Sequence, residues 1–392
     1  MDNIEIENES DKQNEMKIVY VLHSTIMGGA TISFLNLLEG LKEKCVEAVV
    51  LFPDWNEEFV EHLENLGVRY ERCPMTEAIY PNDWAYKNSI VKLQNVVRIL
   101  RCRIGSFRRM RRIIKRERPD IVHTNTGVIH DGFYCACSLG IPHVWHLREY
   151  QDRDFSMRIF PSKKFFIGLL RHSHTISITN DIHDAFYLPT NDMHRVIYNG
   201  VLSKDNIALS MPKEDFFLCS SRVSPEKGHE DVICAFAEFY KHNPSYRLVI
   251  LGFGGKPFIE HLKEMSQELG CEKSVIFAGY TDNVMEYMKR TKALIVASYN
   301  EGFGRMTAEA AFAGCIVIGR NTGGTKEIMQ EIGGVTFMDG REIVEKMQYV
   351  ANMTDEQYVN FAKDAQAKAL QLYTNEINID KTYKMYQDIL KV

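Results

Sequence analysis

One short segment concentrates the residue types that could do chemistry. Ser298–Gly324 reads SYNEGFGRMTAEAAFAGCIVIGRNTGG. An apolar run ending at Ala297 leads into Glu301-Gly302-Phe303-Gly304, and helical spacing begins at Arg305 or Met306. Glycines between a strand and a helix let backbone N–H groups converge at the helix N-terminus, an anion site favoured by the helix dipole. Glu301 precedes the turn and Glu309 lies within the helix. That spacing can aim two carboxylates into one cleft at the C-terminal ends of strands. Each carboxylate can accept two hydrogen bonds, which suits a vicinal diol. Glu309 is flanked by Ala308, Ala310 and Ala311, so its helix reads as buried. A glutamate on such a helix costs several kcal/mol unless it is paired or bound. His146 ends another apolar run, PHVWHL, and so stands at a strand C-terminus.

The elements that must position these groups are written in the hydrophobic pattern. Continuous apolar runs mark strands buried on both faces. They occur at 17–22, 47–52, 68–72, 121–125, 143–147, 175–179 and 195–198, mostly with helical stretches between them. A polar stretch follows, and a second series of strands runs through 216–220, 247–251, 275–278, 293–297, 316–319 and 334–337. Helices at 229–241, 257–269, 284–289 and 306–313 separate these, and beyond Gly340 the pattern is helical only. Alternation of this kind predicts doubly wound parallel sheets, here two Rossmann-like domains in tandem. The length of 392 residues fits two domains. The boundaries read as an acidic disordered tail over 1–15, an N-terminal domain over 16–203 and a linker over 204–212. A second domain over 213–370 and a C-terminal helix over 371–392, packing back toward the first domain, complete the chain.

Composition narrows the class. Apolar residues make up 45% and charged residues 25%, enough to bury a core. The net charge of −5 argues against a nucleic-acid partner. No apolar run approaches the ~18 residues of a membrane span. The start, MDNIEIENESDKQNEM, has neither the basic nor the apolar region of a secretory signal. Nine scattered cysteines form no CxxC pair, and Cys219 and Cys315 sit in strand-like runs. Buried thiols in a reducing cytoplasm are the expectation.

With four further segments the Glu301–Glu309 region resembles the retaining GT-B glycosyltransferases of glycosyltransferase family four. The segments are Met27-Gly-Gly-Ala30, Tyr198-Asn-Gly-Val201, Ser221-Arg-Val-Ser-Pro-Glu-Lys-Gly228 and Phe277-Ala-Gly-Tyr-Thr-Asp-Asn283, in that order along the chain. The resemblance implies a GT-B fold, with two Rossmann-like domains facing a cleft and closed by C-terminal helices. It implies transfer of a sugar from a nucleoside-diphosphate donor to an acceptor hydroxyl, in surface polysaccharide or glycoconjugate assembly.

The resemblance also implies roles for particular residues. Arg222 and Lys227 match the basic pair that neutralises the diphosphate, where leaving-group charge develops. Glu309 matches the glutamate that holds the ribose hydroxyls. Glu301 matches the one beside the transferred sugar, with the backbone of Gly302, Phe303, Gly304, Arg305 and Met306 against sugar and phosphates. Tyr280, Asn283 and Val284 would flank the nucleobase. His146 matches a cleft histidine hydrogen-bonded to the donor sugar, whereas His123 and His143 read as structural. Gly28 and Gly29 match the first glycine loop, near diphosphate and acceptor. Where relatives are often acidic, this chain has Thr31, a departure from the pattern. Acceptor pockets would come from loops such as 83–86 and 150–155.

No Asp-x-Asp pair stands at a strand end to hold a divalent metal, so a metal-independent reaction without cofactor is expected. Leu251-Gly-Phe-Gly-Gly-Lys-Pro257 lacks GxGxxG spacing and does not indicate a nicotinamide site. Two other readings compete with the transferase: another GT-B reaction on nucleotide sugars, such as an epimerase or phosphorylase, and a non-catalytic nucleotide-sugar-binding protein.

Arg98–Arg118, RILRCRIGSFRRMRRIIKRER, carries ten basic residues against the single acid Glu117. Ile99, Phe107, Met110, Ile113 and Ile114 supply an apolar face. A basic amphipathic helix is a candidate for an anionic membrane surface; the competing reading packs the apolar face on the sheet. A second cationic-apolar stretch at 158–170 points the same way. A lipid-linked or glycan acceptor and a peripheral position on the inner membrane face are the corresponding expectations.

Overall fold

The computed structural model describes residues 16–81, 89–153, 157–205 and 212–391. The tail at 1–15, the loop at 83–86, Asp154 and Phe155, and most of the linker lie outside these residues. The chain divides into two compact units. The first holds the described residues up to Ile176, Leu188–Arg195 and those from Ile379 onward; the second holds Ser177–Tyr187 and Val196–Asn378.

In the first unit the strands are β1 (Met16–Val21), β2 (Val46–Phe52), β3 (Arg69–Arg72), β4 (Ile79–Pro81), β5 (Ile121–Thr124), β6 (His143–Leu147), β7 (Met157–Ile159), β8 (His174–Ser177) and β9 (His194–Val196). Seven of them form one sheet in the order β3-β2-β1-β5-β6-β8-β9. The pairs from β3 to β6 are parallel. β4 and β7 make a small antiparallel pair that the hydrophobic pattern did not announce.

Strand alternation divides the core. Val19, Val21, Val49, Leu51 and Val122 pack on Met110, Ile113 and Ile114 of helix Ser89–Glu117 and on Cys135 and Ala136. The apolar stripe of the basic helix is therefore consumed by the sheet. Its polar side stays outside, with Arg101, Arg108, Arg109, Arg112, Lys115, Arg116 and Arg118 exposed. Leu100 and Ile104 are exposed on the same helix.

The second unit contains β10 (Glu214–Ser220), β11 (Arg247–Leu251), β12 (Val275–Gly279), β13 (Thr291–Val296), β14 (Val317–Arg320) and β15 (Val335–Phe337). They form one sheet in the order β12-β11-β10-β13-β14-β15, parallel at every pairing. Phe216, Leu218, Val249 and Leu294 pack on Ala310 and Ala313 on one face, and Phe217, Leu248 and Ile250 on Val232, Phe236 and Phe239 on the other. A sheet covered on both sides explains its strands' near-continuous apolar runs. Helices Ile343–Ala351, Asp355–Leu372 and Asn375–Leu390 follow β15, as the helical pattern beyond Gly340 requires.

Candidate active site

In the second unit, chain order along the sheet reverses between β10 and β13: β11 and β12 lie to one side, β14 and β15 to the other. Loops leaving neighbouring parallel strands at such a point diverge, and ligands bind outside the strands' carboxyl ends there. These two loops carry the candidate residues. After β10, Pro225–Lys227 forms a 3₁₀ turn, and Gly228, at φ 70°, opens helix His229–Tyr240. A Cβ on Gly228 would stand 2.3 Å from the Ala297 carbonyl oxygen just past β13, so only glycine lets the two loops meet so closely. Lys227 Nζ then lies 2.5 Å from Glu301 Oε1, with both side chains about four-fifths buried. Arg222 is half-exposed and pairs with Glu226 one turn along the same loop.

Beyond Glu301, Gly302 accepts a hydrogen bond from Thr179 Oγ1 at 3.0 Å through its carbonyl oxygen, and the Phe303 side chain is buried. Gly304, at φ 81°, starts helix Arg305–Phe312. The Glu301 carbonyl is held by the Gly324 N–H at 2.7 Å. The turn is thereby clamped against the start of helix Gly323–Ile332. First-turn N–H groups have no partner within their own helix, so this pocket of backbone suits an anion.

Glu309 faces Arg305 one turn earlier, with Nε to Oε1 at 2.7 Å, while Arg305 Nη2 also donates to the Val201 carbonyl at 2.9 Å. The compensating partner that a glutamate on a buried helix requires is therefore present within the chain. Met306 packs at the edge of the apolar core. Tyr280 follows β12 and is exposed; its hydroxyl donates to Asp282 at 2.6 Å, and its ring lies 6.1 Å from that of exposed Phe253. Asn283 precedes helix Val284–Arg290, whose first residue is Val284.

In the first unit, Gly28 precedes helix Gly29–Glu43, and both glycines are exposed. Gly28 has an extended backbone, and a Cβ there would meet only the Ile26 carbonyl oxygen, at 3.9 Å. Neither strain nor crowding demands glycine, so its effect is to leave the helix N-terminus uncovered. Thr31 turns its hydroxyl onto the Ile26 carbonyl at 2.7 Å and braces the loop.

His146 is fully buried near the end of β6. Its Nδ1 lies 3.2 Å from His123 Nε2 and 3.4 Å from Arg148 Nη2. Burial, with the Arg148 cation beside it, holds its pKa well below the usual histidine value. His123, read from the sequence as structural, thus touches the candidate site histidine; the register that pairs β5 with β6 makes the contact, and neither residue's local sequence signals it. His143 keeps its structural reading, between Thr124 and Ser173.

The sequence carries an Asp-x-Asp pair, Asp152-Arg153-Asp154, a match the strand-end criterion passes over and of which Asp154 lies outside the described residues. Asp152 pairs with Lys163 at 2.9 Å. All nine cysteines are free thiols, and burial pushes Cys219 up to about 12 and Cys315 up to about 11. No described helix is long and apolar enough to cross a membrane.

Comparison with known proteins decides the family. Residues 27–202 match the model of Glycosyltransferase Family 4, and residues 203–368 match that of Glycosyl transferases group 1. The two matches abut and together span most of the chain. The chain belongs to the GT-B glycosyltransferases of family four. Similar to this glycosyltransferase is an uncharacterized 42.6 kDa protein in the cps region of Klebsiella pneumoniae, 24% identical over 86% of this chain and 93% of its own length. The alpha-monoglucosyldiacylglycerol synthase of Streptococcus pneumoniae is 29% identical over 54% of each chain, so the glycosyltransferase spans about half of that relative. The crystal structure of HepE from Anabaena in complex with UDP superposes with a TM-score of 0.74 at 19% identity, covering 95% of this chain and 100% of that one. Its likeness shows the fold.

Proposed function

We propose that this glycosyltransferase moves a sugar, with retention at the anomeric carbon, from a nucleoside-diphosphate donor to an acceptor hydroxyl in the assembly of a surface glycan. The observation that carries the reading is the meeting of Lys227 and Glu301 at the switch point of the second sheet, beside the opening of helix Arg305–Phe312. A cation and a carboxylate in contact, on a loop that opens a helix, suit a diphosphate and its sugar. Lys227 and Arg222 neutralise charge developing on the leaving diphosphate, supported by the helix N-terminus, so that no metal is required. Glu301 stands beside the transferred sugar, and Gly302, Phe303, Gly304, Arg305 and Met306 contribute backbone to sugar and phosphates. Glu309 exchanges Arg305 for the ribose hydroxyls. Tyr280, Asn283 and Val284 border the base, His146 donates to the sugar, and Gly28 and Gly29 lie near diphosphate and acceptor. HepE, captured with UDP, supports a donor of this kind.

The acceptor side of the reading is a lipid-linked hydroxyl at the inner membrane face. Seven exposed basic residues on helix Ser89–Glu117 and the residue after it, with exposed Leu100 and Ile104, support a peripheral, charge-driven contact. The relative named as a glucosyldiacylglycerol synthase points to the same acceptor class.

The test is a thermal-shift panel of nucleoside diphosphates and their sugars, followed by transfer assays with lipid and glycan acceptors. A ligand at 100 times its Kd adds ~2.7 kcal/mol of stability. NMR of the first-formed product reads the anomeric configuration. Retention with activity preserved in EDTA is expected. Inversion, or loss of activity on chelation restored by magnesium, overturns the corresponding part.

A further inference from the structure

Tyr20, His123 and His146 form a polar row across β1, β5 and β6 of the first sheet. Tyr20 pairs in register with His123, and His123 with Val144, two residues before His146 and so on the same face. Tyr386, on helix Asn375–Leu390, closes the row. The four side chains are fully buried, and Arg148 nearly so. The Tyr386 hydroxyl stands 2.6 Å from His123 Nδ1 and 3.4 Å from the Tyr20 hydroxyl, and Arg148 Nε donates to Asn125 Oδ1 at 3.0 Å.

Only one direction of hydrogen bonding satisfies this chain. Burial lowers the pKa of both histidines, His123 to about 3, so each is neutral and carries one N–H. A guanidinium has no acceptor, so Arg148 Nη2, at a long 3.4 Å, favours an accepting His146 Nδ1 but, as the weaker of two donors to one lone pair, does not fix it alone. His123 then donates from Nε2 to His146 Nδ1, and its own Nδ1 accepts from Tyr386, which accepts from Tyr20. The reverse direction sets an N–H of His146 against an N–H of Arg148 and leaves the Tyr20 proton without an acceptor among the described residues. The surviving pattern puts the His146 proton on Nε2, a buried nitrogen with no partner among the described residues. A buried polar group without a partner calls for one.

We propose that His123 and Tyr386 are positioning residues that hold His146 as its Nε2–H tautomer, a neutral donor preset for an oxygen of the bound sugar. The inference rests on the reading above for the sugar contact, but the tautomer is measurable without substrate. Neither residue touches the donor; both act through the ring of His146. A neutral donor suits a sugar hydroxyl, and fixing it beforehand spares reorganisation on binding. Outer partners of this kind, where measured around metal-bound histidines, are worth about 10–100-fold.

Long-range ¹H–¹⁵N correlation on the full-length, ¹⁵N-histidine-labelled protein, with His146 assigned through His146→Gln, reads which ring nitrogen carries the proton. Nε2–H is expected in the wild type and in His123→Gln, whose amide N–H replaces the imidazole donor. Tyr386→Phe lets His123 turn to its other tautomer. That variant and His123→Leu should populate Nδ1–H on His146 and lose about tenfold or more in kcat, with His123→Gln retaining most of it. An Nδ1–H proton on His146 in the wild type overturns the proposal. So does an unchanged tautomer in Tyr386→Phe, which deletes a single oxygen and keeps the ring packing. A shifted tautomer with unchanged kcat equally removes the positioning role. If the protein transfers no sugar, the proposed function fails while the wild-type and Tyr386→Phe spectra still decide the tautomer.

Discussion

Lys227 and Glu301, 74 residues apart, meet at 2.5 Å because β10 and β13 are neighbours whose following loops both turn over the sheet's carboxyl edge. The pair holds a cation in place before any donor arrives. Its value is in binding and turnover.

Lys227→Ala and Arg222→Ala should each lower kcat/KM by at least about two orders of magnitude, the scale of losing a transition-state charge donor. Urea midpoints should barely move. Steady-state kinetics with the donor found in the thermal-shift panel provides the check, and near-normal rates in both variants would remove the diphosphate assignment.

The two glutamates should separate kinetically. Ribose contacts exist before and during reaction, so Glu309→Gln should act mainly by raising the donor KM. Glu301→Gln should act mainly on kcat. Equal, purely KM effects at both positions would contradict distinct roles.

Acid should destabilise the first unit through its buried histidines. His123 and His130 are pushed down to about 3 in the folded protein, against ~6.5 in an unfolded chain. Below ~6.5 the unfolded chain takes up protons that the folded protein refuses, so stability is full above that pH and is lost as pH falls toward 3. Each such group contributes about 1.4 kcal/mol per pH unit within the window. Buried Asp131, whose pKa is raised, acts in the opposite sense in and just above the carboxylate range. His130→Phe, which preserves the ring stack on Phe166, should therefore flatten the dependence between pH 5 and 6. Urea titrations across that range giving the parent slope would refute the prediction.

Replacing Arg108, Arg109 and Arg112 with Ser removes roughly 3 kcal/mol of attraction to an anionic leaflet at about 1 kcal/mol per residue. Co-sedimentation with vesicles containing phosphatidylserine should fall, and wild-type binding should be lost at 1 M salt, where the Debye length is ~3 Å. Donor hydrolysis in solution should be unchanged. Wild-type protein that stays in the supernatant at low salt would reassign the helix to a solvated face.

Local pattern determined much of this protein. Apolar runs and helical spacing located most strands to within two residues, because a doubly wound sheet buries whole strands and leaves little ambiguity about where they lie. The glycine turn at Glu301 was equally legible, since a strand, a bend and a helix start are all local. β4 and β7 escaped notice because a three-residue antiparallel pair has no room to show a period. Partnership was the other gap. Glu309 needs a partner or a ligand by its local sequence, and only the fold shows Arg305 one turn away; of the two readings of the basic stretch, a membrane-facing amphipath or a helix packed on the sheet, the fold shows the sheet absorbing Met110, Ile113 and Ile114. His123 carried no mark that told it from any buried histidine. Only strand register put it beside His146, and only the return of the last helix brought Tyr386 to it across 263 residues. Residue type and spacing specify what a group can do. Tertiary structure decides which groups meet, because proton sharing acts over about 3 Å and the chain between partners leaves no trace in either one's neighbourhood.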